Sequence, residues 1–444
     1  MKPTWIILDP AIVETVMIKE FSHFHDRGFR IDEKVNPLEG HLFLLNGGKW
    51  RALRNKLSPT FTSGKLKWMF SQMDSCSESL LQMIRNEAID KPEVEVKDIM
   101  ARFTTDVIGS CAFGCEPTAI KDPDCEFRKM GRRIFNVTLK QLLLNAFRFA
   151  FPDVFFRLKL RTIPVELHNF FYSLVRQTFE HRKKTGEKRN DFVELLLQLR
   201  EKGSIETDPK DYMEDGEKEE LEATKEEVTK IELTDDVLTA QAFVFFTAGF
   251  ETSATSISFT LHLMAKHPQY QDRAREEIRT VKKQHGGRIT YAALKEMVYL
   301  DACFSEATRL YPPIGILNRE CTKTIIMEDG TRIEKGFPVI IPIGAIQIDP
   351  DYFPEPHVYN PERFMGGNSP IPGSYMPFGE GPRVCIAKRF ALVEAKLGLA
   401  KILDRFQLTT SPRMKEPIEM NPRAFILEPK DGIWVKIREL PSEE

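Results

Sequence analysis

Phe378-Gly379-Glu380-Gly381-Pro382-Arg383-Val384-Cys385-Ile386-Ala387 packs two glycines, a proline, an arginine and a cysteine into ten residues. It stands directly before an apolar-periodic run (Phe390, Leu392, Val393, Leu397, Leu399) whose spacing predicts a helix. Glycine carries no Cβ, so a loop of this kind lets backbone approach a bulky, flat partner closely. Cys385 falls where loop gives way to helix. There, unpaired N–H groups and the positive end of the dipole favour a thiolate over a thiol.

A free cysteine on its own is most often a small buried hydrophobe. The neighbours of Cys385 point elsewhere. Arg383 supplies a fixed cation suited to carboxylates, and Phe378 supplies an apolar wall. An anionic sulfur, an arginine and open backbone are what an axial thiolate on a haem requires. The stretch closely resembles the haem-binding loop of cytochrome P-450 enzymes, Phe-x-x-Gly-x-x-x-Cys-x-Gly. Ala387 stands where that family usually has Gly.

Size and composition are compatible with this resemblance. At 444 residues and 51.2 kDa the length prior is two or three domains. No linker divides the chain, and a single catalytic domain over 1–444 is expected. Hydrophobic residues make up 42%, enough for a sizeable core, and a net charge of −2 argues against nucleic acid as the main partner. The seven cysteines are odd in number, without CxxC pairs or zinc spacing, which fits a reducing compartment facing the cytosol. No run of 18 or more residues is apolar enough to span a bilayer, and no signal peptide opens the chain. Microsomal members of the family begin with a membrane anchor and a proline-rich hinge. Here the sequence opens on what reads as a strand, Thr4 to Leu8, so a shortened form or an incomplete gene model is expected, lacking the anchor and first strands.

Further motifs follow in chain order. Asp9-Pro10 is a helix start, with Asp as N-cap and Pro at the first helical position. His23-Phe24-His25 has no third ligand nearby, which favours structural histidines. Trp50 and Arg54 share a helical face after the loop Asn46-Gly47-Gly48, among basic Lys49, Arg51 and Lys56. Residues 70 to 200 are helical in period, and the phenylalanines from Phe147 to Phe171 are core by default. Residues 201 to 232 turn acidic and read as a solvated loop with some helix. A long helix is expected from Thr234 to about His267, apolar on nearly all sides at Ala242 to Phe246 and therefore buried. Ala248-Gly249-Phe250-Glu251-Thr252-Ser253 is expected to interrupt it, because glycine and an unpaired carboxylate are both costly inside a buried helix. Glu306 and Arg309 are helical neighbours in apolar surroundings ended by Pro312-Pro313. Arg363 lies in Pro361-Glu362-Arg363-Phe364. Two β-hairpins are expected, one from Thr324–Met327 through Asp329-Gly330 to Val339–Ile341, the other from Phe425–Leu427 through Asp431-Gly432 to Ile433–Val435.

The resemblance covers essentially the whole chain, with four motifs in order. It implies a mainly α fold, the helical prism of that family with a small β-rich side. It implies haem b as cofactor, with Cys385 as metal ligand and Trp50, Arg54, Ala248, Gly249, Arg319, Phe378, Gly379, Arg383 and Ile386 around it; Arg54, Arg319 and Arg383 would face propionates. Thr252 offers a hydroxyl to dioxygen, and Glu251 relays protons; these two are the implied catalytic residues. Glu306, Arg309 and Arg363 form a structural triad whose disruption costs roughly 3–5 kcal/mol. The region around Phe147–Phe171 becomes the roof and membrane-facing lip of a substrate pocket, to which Ile314–Ile316 and the last hairpin contribute. Wording such as Ala-Gly-Phe-Glu-Thr and Arg-Asn-Asp-Phe resembles the insect microsomal, xenobiotic-metabolising branch, on the cytosolic face of the endoplasmic reticulum.

The implied reaction is monooxygenation of apolar small molecules (xenobiotics, insecticides, plant toxins or endogenous lipophiles) by dioxygen and two electrons. Gly379-x-Gly381 lacks the third glycine and the βαβ context of a dinucleotide site. Electrons therefore come from a separate protein; the resemblance implies NADPH–cytochrome P-450 reductase, docking near Lys388, Arg389 and the basic Trp50 helix. The alternatives are a haem-thiolate isomerase or dehydratase, a haem-binding but catalytically impaired truncated relative, and a non-haem helical scaffold. Thr252 argues against the first, and the Cys385 loop against the last.

Overall fold

A computed structural model describes residues 3–90, 93–115, 118–189, 191–203 and 231–441. The protein is mostly helical with three small sheets among the described residues. Most of the acidic stretch expected as a solvated loop lies outside the described residues. The chain divides into two compact units, one of residues 1–25, 70–107 and 250–444, the other of residues 26–69 and 108–249.

The first unit holds the sheets. Trp5–Ile6 pairs in parallel with Pro338–Ile341, which pairs antiparallel with Leu317–Glu320 on its other edge. Glu93–Glu95, Trp434–Glu439 and Phe406–Thr410 form a second antiparallel sheet. Both expected hairpins are corrected. The partner of Ile325–Ile326 is Arg332–Ile333, and Asp329 tightens the turn between them by accepting from Thr331 N at 2.8 Å. Val339–Ile341 instead buries Val339 and Ile341 in the core between two other strands. Likewise Trp434–Glu439 pairs with Phe406–Thr410, whose alternating Phe406 and Leu408 are buried. Phe425–Leu427 is not a strand; Leu427 N donates to the Pro313 carbonyl at 2.9 Å.

Asp9 caps the first helix as expected, accepting from Ala11 N at 2.8 Å, with Pro10 in its first turn. That helix passes directly into a π-helical turn, Thr15–Lys19. Val13, Val16, Met17 and Phe24 bury themselves against Leu317, Val339, Ile341, Ile343 and Met376. The helix after Cys385, Lys388–Arg405, places Leu397, Leu399, Ile402 and Leu403 in the core.

The second unit is helical. Gly47–Leu57 begins at Gly47, so the glycines expected in a loop form the first helical turn. Thr138 and Gln141 build a reciprocal capping box on Leu139–Ala150. Asp191 caps Phe192–Lys202, and Gly186 and Gly203, both left-handed, stop the helices before them. Its core is aromatic: Phe171 sits 5.1 Å from Phe243 and 5.4 Å from Phe246, and Phe192 lies 4.1 Å from Phe245. The phenylalanines from 147 to 171 do not all follow the core default. Phe155 and Phe171 are buried, whereas Phe149 is 76% exposed and Phe151 is exposed as well.

The long helix is Asp235–Lys266, 32 residues and roughly 48 Å. It is unbroken through Ala248–Ser253, contrary to the expected interruption. Packing accounts for Gly249: a Cβ there would come 2.7 Å from Ile108 Cδ1. The glycine serves close approach of a side chain, without opening the helix.

Candidate active site

The cysteine loop is built by three constraints within the first unit. Gly379 and Gly381 take φ of 73° and 67°, a left-handed backbone that disfavours side chains. A Cβ on Gly381 would overlap the Met17 carbonyl, whereas one on Gly379 would meet only Leu317 Cδ1, at 3.8 Å. Gly381–Arg383 forms a short 3₁₀ turn, and Cys385 N donates to the Phe378 carbonyl at 2.9 Å, closing the loop on itself. The helix opens only at Lys388, whose N–H reaches the Cys385 carbonyl at 3.3 Å. Cys385 therefore precedes the helix by a turn, rather than standing at its first residue. Ala387 has φ −97° and ψ 17°, an ordinary conformation for which no glycine is needed.

All seven cysteines lie among the described residues, and only Cys385 is exposed. Burial pushes the Cys76 and Cys303 thiols up to about 12, which keeps them protonated and inert. Phe378, Gly379, Ile386 and Ala387 are half-buried beside Cys385, while Arg383 is buried, at 4% exposure. Arg383 Nε donates to the His25 carbonyl at 2.7 Å. Arg319 is 1% exposed on strand Leu317–Glu320, and its Nη1 donates to the Asn318 carbonyl at 2.8 Å. His25 thus contributes its main chain to the loop, while the His23 ring meets Ser22 Oγ and Glu20 Oε2 at 3.2 and 3.0 Å.

Glu251 and Thr252 lie on the first unit's part of the long helix. Glu251 pairs with Lys97 at 2.8 Å, and Lys97 also faces Glu428 at 3.9 Å. The Phe250 carbonyl accepts from Thr104 Oγ1 at 2.8 Å, and Ser256 Oγ donates to the Thr252 carbonyl at 3.0 Å. These bonds fasten the turn on either side of Thr252.

The triad is assembled. Arg309 Nε and Nη2 hold the two Glu306 oxygens at 2.7 and 2.8 Å, with both side chains wholly buried. Asn360 N adds a bond of 3.0 Å, and Arg363 approaches at 3.4 Å. Arg309 also donates to the carbonyls of Gln347, Pro356 and Val358.

Trp50, Arg54, Ala248 and Gly249 belong to the second unit. Trp50 is buried and Arg54 half-buried on Gly47–Leu57. Two of the basic residues on this helix are already engaged within the protein. Lys49 is exposed but held by Glu33 at 2.9 Å, and Lys56 donates to the Gly203 carbonyl at 2.6 Å.

Sequence reasoning missed Lys97, Met17 and a buried acid, Glu394. A charged residue in the helix Val96–Phe113, between Val96 and Ile99, was the available signal for Lys97. Nothing local marks Met17, whose carbonyl lies against Gly381, and the reading of His25 as structural did not point to its carbonyl as the partner of Arg383.

The family model for Cytochrome P450 matches residues 1–435. Over 440 residues the chain is 39% identical to cytochrome P450 6a9 of Drosophila melanogaster, covering 98% of this chain and 84% of that protein. It is 37% identical to cytochrome P450 6a2 of the same fly, covering 99% and 85%. It is 36% identical to cytochrome P450 6A1 of Musca domestica, covering 98% and 83%.

Proposed function

The chain belongs to the cytochrome P450 family and is a haem-thiolate monooxygenase, and from that premise we propose that it oxygenates apolar small molecules at a haem b held by Cys385. The observation that carries this reading is the exposed Cys385 on a loop whose left-handed Gly379 would meet only Leu317 Cδ1, at 3.8 Å, if it carried a Cβ. A thiol in that position can reach a metal, and the bare backbone admits a flat macrocycle. The donor set fits the group: one accessible sulfur, two buried guanidiniums in the same unit (Arg319 and Arg383), and no competing cluster of His, Cys, Asp or Glu among the described residues. The haem supplies dioxygen binding and cleavage when bound. Following the family resemblance, Arg319 and Arg383 would hold its propionates, with Trp50 and Arg54 as further candidates for that role. Phe378, Ile386, Ala248 and Gly249 would supply apolar and backbone contact. Thr252 would offer its hydroxyl on the oxygen side, and Glu251, tied to Lys97, would relay protons towards it.

Electrons come from a separate NADPH-dependent cytochrome P450 reductase. Exposed Lys388 and half-buried Arg389, beside Cys385, are the cations best placed to meet an acidic donor. The Trp50 helix contributes less, because Glu33 and the Gly203 carbonyl engage its lysines. Substrates are lipophiles of the kind insects meet as toxins or make themselves, as the similarity to fly proteins suggests.

Location on the cytosolic face of the endoplasmic reticulum is supported by an exposed apolar face. On Leu139–Ala150 no residue is buried, and Leu139, Leu142, Leu143 and Phe149 are exposed, followed by Phe151, Val154 and Leu158. Such a face, with Lys140, Arg157 and Lys159 among it, suits a lipid surface. No helix among the described residues is long and apolar enough to cross a membrane.

The test is the spectrum of the reduced, carbon monoxide-bound protein, followed by product formation with added reductase and NADPH. The red-shifted Soret band of thiolate ligation is expected in the wild type and not in Cys385→Ala. A wild-type spectrum without that band removes the proposal.

A further inference from the structure

The helix Leu139–Ala150 reverses the usual amphipathic arrangement. A surface helix normally turns its apolar stripe to the core and its polar face to solvent. Here Leu139, Leu142, Leu143 and Phe149 are exposed, while Gln141, Asn145 and Arg148 line a cavity. Spacings of four and three place those three polar residues on one helical face. The cavity has a volume of about 210 Å³ and lies wholly within the second unit. Its other walls are largely apolar: Ile134 from Glu126–Phe135, Ile163 and Leu167 around the start of Val165–Thr185, and Phe243 from the long helix.

The charged groups at the cavity are already matched. Arg148 holds both Glu39 oxygens, at 2.7 and 3.3 Å, and Thr162 Oγ1 donates to the same carboxylate at 2.6 Å. Arg148 also donates to the Arg30 carbonyl. The two side chains are only 17% and 5% exposed, so opening the pair for an ionised guest would strand the other charge in a poorly solvated place. Ions of either sign are therefore disfavoured.

The amides differ. Gln141 Oε1 accepts from Thr138 N and Oγ1, both at 2.9 Å, and from Arg133 at 3.3 Å, which leaves its Nε2 uncommitted among the described residues. Asn145, one turn further along and half-buried, has no side-chain partner among the described residues. Its amide offers both donors and an acceptor. A mainly apolar cavity with a few converging polar groups is the pattern of a small-molecule site.

We propose that this cavity binds neutral lipophiles carrying a hydroxyl, carbonyl or amide group, anchored by Asn145 and Gln141. It rests, for the class of guest, on the reading of this chain as one that acts on apolar small molecules, and narrows that class. Lipophiles with a neutral hydrogen-bonding group are retained; plain hydrocarbons and ions are not. The volume falls below the roughly 300 Å³ at which drug-sized sites begin, which limits the enclosed part of a guest to one or two rings.

Thymol and para-cymene differ only by a phenolic hydroxyl, and calorimetric titration of the haem-loaded protein with each tests the proposal. Wild type is expected to bind thymol about fivefold tighter than para-cymene, the size of one net hydrogen bond. Asn145→Ala and Asn145→Leu, both good helix formers at a half-buried position, should bind the two compounds almost equally. The anion para-isopropylbenzoate should bind wild type more weakly than thymol. No preference for thymol in wild type, a preference that survives in both Asn145 variants, or tighter binding of the anion overturns the proposal. The reduced carbon monoxide spectrum keeps the two readings apart. A normal Soret band without an Asn145-dependent preference removes the cavity proposal alone, and that preference without the band removes the haem reading alone.

Discussion

Lys97 Nζ lies 2.8 Å from Glu251 Oε1, with the two side chains only 11% and 14% exposed. A carboxylate in the middle of an apolar helix is tolerable because this ammonium reaches it from the helix Val96–Phe113. Lys97→Met should therefore cost about 2–3 kcal/mol in denaturant unfolding, somewhat less than a wholly buried pair because some water reaches both groups. Lys97→Met with Glu251→Gln should recover most of that loss. A double variant as unstable as the single would show that the ammonium, rather than the pairing, matters.

Glu306 gives an asymmetric result. Arg309 is wholly buried, grips both carboxylate oxygens and donates to three main-chain carbonyls, whereas Arg363 stands at 3.4 Å with 15% of its side chain exposed. Arg309→Met should cost about 3–5 kcal/mol and Arg363→Met about half as much, measured by urea midpoints at constant slope. Equal losses would contradict the geometry.

Glu394 makes stability depend on pH. Its folded-state titration lies near 8, above the 4.5 of the unfolded chain. The folded state therefore holds the proton more tightly, and this contribution is fully present below about pH 4.5 and lost as pH rises towards 8. Glu394→Gln removes that loss. The difference between variant and wild type should grow by a few kcal/mol between pH 5 and 8 and then level off. A difference that is flat with pH excludes the raised titration.

Two glycines of the cysteine loop should respond differently to alanine. Gly379→Ala brings its methyl only into ordinary contact with Leu317 Cδ1 and should cost about 1–2 kcal/mol of left-handed backbone strain. Gly381→Ala adds an overlap with the Met17 carbonyl and should abolish the thiolate Soret band. The readout is the reduced carbon monoxide spectrum of each variant, normalised to total protein. Parallel loss in both would mean that backbone conformation alone sets the loop.

The parts of the site that read clearly from sequence are those whose chemistry is local. Cys385 with Arg383, Glu306 with Arg309, and Glu251 with Thr252 are each close in the chain, and each motif carries its own spacing rule. The helix limits at Asp9 and Lys266 were legible through caps and prolines. Strand partners were not, because Ile325–Ile326 or Phe425–Leu427 are too short to fix a register; pairing is decided by which longer alternating strand is available. Gly249 was misread for a related reason. Its sequence shows a helix-weakening residue, but only the position of Ile108 explains why a side chain has no room there. Lys97, Met17 and Glu394 act on groups distant in sequence, and nothing within a short window points to them.

The bond from Arg383 to the His25 carbonyl joins residues 358 positions apart. Met17 and Gly381 meet across a similar span, so the cysteine loop closes against a segment synthesised far earlier. At ordinary elongation rates of 5–20 residues per second, that segment waits roughly 20–70 s for its partner. Closing so long a stretch of chain costs about 5 kcal/mol in loop entropy before either contact contributes. Chain assembly and cofactor capture are therefore ordered in time. The buried face formed by Val13, Val16, Met17 and Phe24 needs shelter while the ribosome is still working, and the thiolate loop takes its shape only once its own, far later residues have emerged.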